Sequence, residues 1–255
     1  MQSLSPEMHN LALKHNKLGG EYLAVSVTAR DVNMAIAHFT DDAFLGANVT
    51  ILDVVDELTE EAAAIGAMNT IIKKGDILIG HNTDAYGFMK PIEKYRDDLE
   101  GEKVVIFGSG GATKAIVFAL RKVGVSEIIL VSRRPEMHKD ANDHDIIRCS
   151  YDNWAAYGED AAMIVNATPL GMTPNEDRSP VDEQDEGMLE GKICYDIVYN
   201  PRNTKFLTQA IKEGGIPIGG LDMLIYQGAA SFQHWTGLQF PIDKIRERLN
   251  EVLPA

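Results

Sequence analysis

The spacing of apolar positions changes along the chain, and each change marks an element. Val104, Val105, Ile106 and Phe107 form an uninterrupted apolar run that leads directly into Gly108-Ser109-Gly110-Gly111-Ala112. Such a run fits a strand buried on both faces. A helical period follows, carrying Ile116, Val117, Ala119, Leu120 and Val123, and Gly124 closes it. A second apolar run at 128–131 completes a strand–helix–strand unit of the about thirty residues that such a crossover needs. Further apolar runs at 162–167 and 193–198 predict two more buried strands, and the patterns at 204–214, 221–235 and 242–252 predict helices.

The first third of the chain reads differently. A helix is predicted over 7–17, where Ser5 fits an N-cap and Pro6 a first helical residue. The two hydroxyls of Ser3 and Ser5, alternating around Leu4, equally suit a polyhydroxylated ligand. A strand is predicted at 22–27, a helix at 32–39, a short strand ending in Gly46-Ala47-Asn48-Val49-Thr50, and a helix at 57–65. Apolar runs at 70–72 and 77–79 flank Lys73-Lys74-Gly75-Asp76 and predict a hairpin. Residues 84–97 read as a connecting helix, 135–160 as a polar region with Trp154 as packing anchor, and 173–185 as an exposed acidic loop. Strand and helix alternate without internal repeat or low-complexity segment, which places the chain in the α/β class.

Composition narrows the function. The 255 residues suffice for one large or two modest domains. With 38 acidic against 24 basic residues the formal net charge is −14, which argues against a nucleic-acid or anionic-membrane surface. Two cysteines, Cys149 and Cys194, give neither a disulfide framework nor metal-ligand spacing, so no metal is expected and both read as buried thiols. No apolar run approaches membrane length and no basic-then-apolar leader pattern opens the sequence, so a cytoplasmic protein is expected.

The glycine turn between a buried strand and a helix carries the first chemistry. Glycines allow close backbone approach to a pyrophosphate, and the exposed N–H groups of a helix N-terminus favour its charge. A plain tight connection is the alternative, and the strand–helix context favours the dinucleotide. Where an acidic residue would select NAD, the second strand ends in Ser132-Arg133-Arg134. Two guanidinium forks and a hydroxyl suit a 2′-phosphate, which makes NADP the expected cofactor; a pair of solvated arginines is the other reading.

Several short motifs then fall in order. Ser3-Leu4-Ser5-Pro6 with His9-Asn10, Asn48-Val49-Thr50, Gly66-Ala67-Met68-Asn69-Thr70 and Asn82-Thr83-Asp84 resemble those of the shikimate dehydrogenase family. So do Asn166-Ala167-Thr168-Pro169-Leu170-Gly171-Met172, Tyr195-Asp196-Ile197-Val198-Tyr199-Asn200-Pro201 and the segment from Gly220 to Ala229. The resemblance covers nearly the whole chain. It implies a small α/β substrate domain over 1–84 and a Rossmann-like NADP domain over 100–222. It also implies that C-terminal helices, about 223–255, return to the substrate domain. The implied activity is reversible NADPH-dependent reduction of 3-dehydroshikimate to shikimate, in aromatic amino-acid biosynthesis, by a monomer or homodimer.

Carried over by position, the resemblance implies that Ser3 and Ser5 bind the substrate carboxylate and that Thr50, Asn69, Asp84, Tyr199 and Gln227 contact its hydroxyls or ring. Asn69 and Asp84 equally fit turn and cap chemistry. On the cofactor side it implies Gly108, Ser109, Gly110, Gly111 and Ala112 at the pyrophosphate and Ser132, Arg133 and Arg134 at the 2′-phosphate. Thr168, Met172, Ile197, Gly220 and Met223 are implied at the nicotinamide half. The family pattern places a proline and then a lysine after Asn-Val-Thr, the lysine pairing with the aspartate of Asn-Thr-Asp in proton transfer. Here Ile51-Leu52-Asp53 follow Thr50 and the next lysine is Lys73, so Asp84 stands as the expected catalytic residue. Two alternatives follow: a quinate/shikimate dehydrogenase, against which Arg133 and Arg134 weigh, and a protein that binds NADP and shikimate without turnover.

Overall fold

The structure is a computed structural model that describes residues 3–27, 39, 41–49, 55–137 and 143–254. The predicted helix at 32–39 lies almost wholly outside the described residues, and Thr50 lies outside them entirely. Helix α1 (Ser5–His15) opens the chain. Its N-cap is Leu4, not Ser5, and the Ser3 Oγ accepts the Ser5 N–H at 3.2 Å. The acceptor is thus the serine two residues earlier, and Leu4 itself makes no side-chain cap. Residues 22–27 form no strand, correcting the sequence expectation. Alternating apolar residues specify extended backbone, yet a ladder needs a neighbour, and Leu23 and Val25 stand 64% and 72% exposed.

The first sheet is small. Strands β1 (Gly46–Asn48), β2 (Glu57–Leu58), β3 (Thr70–Lys74) and β4 (Ile77–His81) lie in the order β1-β3-β4-β2. Helix α2 (Glu60–Ile65) is shorter than the predicted 57–65, because the Thr59 side chain accepts the Ala62 N–H and starts the helix there. Glu57 and Leu58 join the sheet instead, parallel to β4. The predicted hairpin forms as β3 and β4, antiparallel. Helix α3 (Asp84–Ile92) follows directly, and a short helix α4 (Arg96–Leu99) ends the connection.

The second sheet is built from β5 (Lys103–Phe107), α5 (Gly111–Val123), β6 (Glu127–Val131), β7 (Ile146–Cys149), α6 (Trp154–Gly158) and β8 (Ala161–Asn166). It continues with β9 (Ile193–Asp196), α7 (Lys205–Lys212) and β10 (Ile216–Ile218). All six strands are parallel, in the order β10-β9-β8-β5-β6-β7. This is the doubly wound order of dinucleotide-binding sheets, with its switch point between β5 and β8. Ligands bind outside the carboxyl ends of the strands at such a point, where successive connections leave on opposite faces. The α/β class with a Rossmann-like sheet is thereby established.

Two clusters cover the faces of this sheet. One joins Val104, Ile106, Ile116 and Leu120 to Phe88, Ile92 and Met223, and the other packs Trp154 against Val105, Phe107 and Ile164. The last helices, α8 (Leu221–Thr236) and α9 (Ile242–Val252), return to α1 through Met8, Ala12, Phe232, Ile245 and Leu249. Cys149 and Cys194 are buried free thiols, as expected. Among the described residues no helix is long and apolar enough to cross a membrane, and no cluster of metal-ligating side chains occurs.

Candidate active site

The cavity where α1, the small sheet, α3 and α8 meet the β9 loop has a volume of about 250 Å³. It is lined by Ser5, Asn48, Asn69, Asp84, Tyr199 and Gln227 on the polar side, and by Ile197, Gly220 and Met223 toward the second sheet. Five of the seven residues expected at the substrate are therefore brought together, with three of those expected at the nicotinamide. Ser3 is exposed and serves the α1 terminus, while Thr50 lies outside the described residues.

Turn and cap chemistry near Asp84 is performed by a neighbour. The Asn82 Oδ1 accepts the backbone N–H groups of Asp84 and Ala85 at 3.0 and 3.3 Å. That arrangement leaves the Asp84 carboxylate facing the cavity, where it accepts a hydrogen bond from Asn69 Nδ2 at 2.7 Å. The Asn69 Oδ1 in turn accepts the Thr83 N–H and the Thr70 hydroxyl, both at 2.9 Å. Burial pushes the Asp84 carboxyl up from 3.8 to about 6, and the Asn69 hydrogen bond opposes the shift. A carboxyl poised there exchanges a proton readily near neutral pH. The Thr83 hydroxyl reaches Gln227 Oε1 at 3.5 Å and Ser231 Oγ at 3.2 Å. Ser231 also meets Thr70 at 2.9 Å, so a buried chain of hydroxyls underlies the cavity floor.

A second cavity, about 220 Å³, adjoins the carboxyl ends of β8 and β9 and is lined by Thr168, Met172, Ile197 and Tyr199. Its walls are held by a buried carboxylate that the sequence reading passed over. Asp196 accepts from Thr204 Oγ1 at 2.6 Å, Val198 N at 2.9 Å and Asn166 Nδ2 at 3.0 Å. Burial raises its carboxyl to about 7 against those three hydrogen bonds. Asn166 Oδ1 receives the Thr168 N–H and hydroxyl, at 3.0 and 2.7 Å, so one aspartate fixes both loops. Gly220 completes the wall because nothing larger fits: a Cβ there would lie 2.2 Å from the Ile197 carbonyl oxygen.

The glycine turn sits at the switch point. Gly108 has φ +110°, and a Cβ there would meet the Ala167 carbonyl oxygen at 2.7 Å, where β5 and β8 diverge. Around Gly110 and Gly111 the space is open, so a ligand can approach the α5 N-terminus, while Ala112 lies in its first turn. Ser109 and Gly110 open onto a groove of about 450 Å³ that also holds Lys114, Arg121 and Arg148. Ser132 is buried after β6, and Arg133 and Arg134 are exposed beyond it. The arrangement fits a dinucleotide laid from these arginines, across the glycines, to the Thr168–Met172 cavity.

Asn48 and Asp196 are site residues, and Ser231 lies beneath the cavity floor; sequence reasoning gave none of the three a role. Asn48 and Asp196 stand inside quoted motifs, whereas Ser231 lies in a segment read only as a helix.

Comparison with known proteins agrees with this geometry. Residues 1–71 match the shikimate dehydrogenase substrate binding domain, and residues 220–249 match the shikimate 5′-dehydrogenase C-terminal domain. The shikimate dehydrogenase (NADP(+)) of Salinibacter ruber is 38% identical over 255 residues, covering 94% of this chain and 90% of the relative. The chorismate mutase/shikimate 5-dehydrogenase fusion protein of Clostridium acetobutylicum superposes with a TM-score of 0.89 at 31% identity, covering 99% of this chain and 94% of that one. The shikimate 5-dehydrogenase of Thermus thermophilus, solved with NADP(H) and shikimate, gives 0.85 at 32% identity, covering 98% and 95%. With near-complete coverage by relatives of this identity, the chain belongs to the shikimate dehydrogenase family.

Proposed function

We infer that this chain catalyses the reversible NADPH-dependent reduction of 3-dehydroshikimate to shikimate, a step in aromatic amino-acid biosynthesis. The observation that carries the reading is one cavity in which Ser5, Asn69, Asp84, Tyr199 and Gln227 face Ile197, Gly220 and Met223. A small acid with several hydroxyls needs a partner for each polar group it buries, and this wall offers a carboxylate, two amides and two hydroxyls. Residues 1–84 with about 223–255 hold the substrate in this reading, and 100–222 hold the cofactor. It takes the chain as a cytoplasmic enzyme, monomeric or homodimeric.

NADPH, when bound, supplies the hydride. Ile197, Gly220 and Met223 would hold its reactive ring on their apolar surface. Asp84 gives a proton to the substrate oxygen during reduction and takes it back during oxidation, and Asn69 keeps the carboxyl aimed. Ser5 holds the substrate carboxylate, and Tyr199 and Gln227 orient the ring. Arg133 and Arg134 would hold the 2′-phosphate, which favours this reading over an NAD-linked quinate enzyme.

Steady-state oxidation of NADPH with 3-dehydroshikimate tests the inference, and turnover is expected. Binding of both ligands without turnover would overturn it in favour of a ligand-binding protein.

A further inference from the structure

Three residues near the substrate cavity take no part in the chemistry above. Asn10 clips the backbone of Tyr22: the Tyr22 N–H donates to Asn10 Oδ1 at 2.7 Å, and Asn10 Nδ2 donates to the Tyr22 carbonyl at 3.0 Å. The pair of bonds imitates one rung of a ladder, on a segment that joins no sheet among the described residues. His9, 1% exposed, stacks on the Tyr22 ring with centroids 4.5 Å apart and planes 16° from parallel. Trp235 and Phe240 enclose the imidazole from other sides, at 5.1 and 5.6 Å. Both His9 ring nitrogens lack a hydrogen-bond partner among the described residues, so this histidine acts as an aromatic plate.

The clipped and stacked ring brings its hydroxyl between Asn48 and the Ser5 side chain. Tyr22 donates to Asn48 Oδ1 at 2.9 Å. The direction is set by the other end of the amide, because Asn48 Nδ2 faces the Asn69 carbonyl, which only accepts, at 3.3 Å. The same nitrogen reaches Ser231 Oγ at 3.1 Å and Thr70 Oγ1 at 3.2 Å. Asn48 lines the cavity beside Ser5, while Tyr22 stands behind that wall.

We propose that Tyr22 is a positioning residue for substrate binding: held by Asn10 and His9, it locks the Asn48 amide and so shapes the Ser5 end of the cavity. The proposal rests on the reading of that cavity as the 3-dehydroshikimate site. Without the tyrosine hydroxyl, the Asn48 carbonyl keeps a partner only by turning into the cavity, where it competes with the ligand. The Asn69–Asp84 hydrogen bond does not involve Tyr22, so affinity changes and the proton step does not.

The experiment is a comparison of wild type, Tyr22→Phe, Asn48→Ala and the double variant in steady-state kinetics. Tyr22→Phe keeps the stacked ring and is expected to raise KM for 3-dehydroshikimate about 5- to 30-fold, the factor for one buried hydrogen bond. Its kcat and its KM for NADPH are expected to stay within about 2-fold. Asn48→Ala alone is expected to raise the same KM comparably, and adding Tyr22→Phe to it should raise KM by clearly less than Tyr22→Phe does alone, the remainder coming from the contact with Ser5. Unchanged KM in Tyr22→Phe, a full further penalty in the Asn48→Ala background, or parallel losses in kcat and NADPH affinity would each overturn the proposal. Absence of wild-type turnover would instead remove the functional reading on which it stands.

Discussion

The charge state of Asp84 offers a test that separates its energetic cost from its use. Asp84 as a whole is half-buried, and burial of its carboxyl raises it from 3.8 to about 6. A raised acid stabilises the fold fully below its unfolded value, and that contribution is lost as pH climbs through the folded value. The window is therefore pH 3.8 to about 6, and the shift corresponds to at most about 3 kcal/mol. Asp84→Asn removes the ionisation while its amide oxygen can still accept from Asn69 Nδ2. The variant should melt about 5–10 °C above wild type at pH 8, with the gap closing below pH 4. Its turnover should fall by roughly 10²- to 10⁴-fold. Thermal melts across pH 4 to 8, paired with NADPH oxidation, read both effects. If Asp84→Asn melts at or below wild type at pH 8, the carboxylate is compensated by a cation in the folded protein and the reasoning fails. Lysine pairing of the kind seen in the family pattern would give that result.

Two further substitutions address the cofactor side. Gly220→Ala places a methyl against the Ile197 carbonyl oxygen, 2.2 Å away, and against the Val198 oxygen at 2.8 Å. Since backbone must move, KM for both ligands should rise at least about tenfold and stability should fall by about 1–3 kcal/mol. Normal kinetics in a folded variant would show that the wall tolerates the shift. Replacing Arg133 and Arg134 together by Ala should raise KM for NADP about 10- to 100-fold while changing KM for NAD less than about 3-fold. Equal weakening of the two cofactors would show that these arginines do not read the 2′-phosphate.

What the sequence makes legible follows from how local each signal is. The β5–α5–β6 unit is readable because a doubly buried strand, its glycines and a helical stripe are adjacent in the chain. The edge strands β7 and β10 escape notice. One is three-quarters half-buried and carries Arg148, and the other centres on Pro217, which only an edge tolerates. At the site, motif positions identify Asp84 and Asn69 but not how they differ from Asn82, which takes over the capping and frees the carboxylate. Tyr22 and Ser231 are invisible in sequence, because each matters through distant partners, such as Asn48 26 positions and Thr70 161 positions away. The Asp196 network is hidden for a related reason, since a buried carboxylate inside an apolar strand shows its purpose only when three donors converge on it.

Helix α3 belongs to both halves of the molecule. Its first residue faces the substrate cavity, and its middle packs against α8 with Gly87 beneath the Met223 carbonyl. Its Phe88 ring lies parallel to Tyr195 of β9, with centroids 4.8 Å apart, inside the core of the nucleotide sheet. The halves are thus spliced by a shared strut rather than strung on a linker. Residues 1–84 expressed without the rest would lack all but the first residue of this helix, and 100–222 alone would lose the Phe88 and Ile92 side chains that pack into the cluster of Tyr195, Ile106 and Leu120. The consequence is evolutionary as much as physical: neither half is a transferable cassette, and recombination between relatives succeeds only where the exchanged piece carries α3 together with both of its sockets.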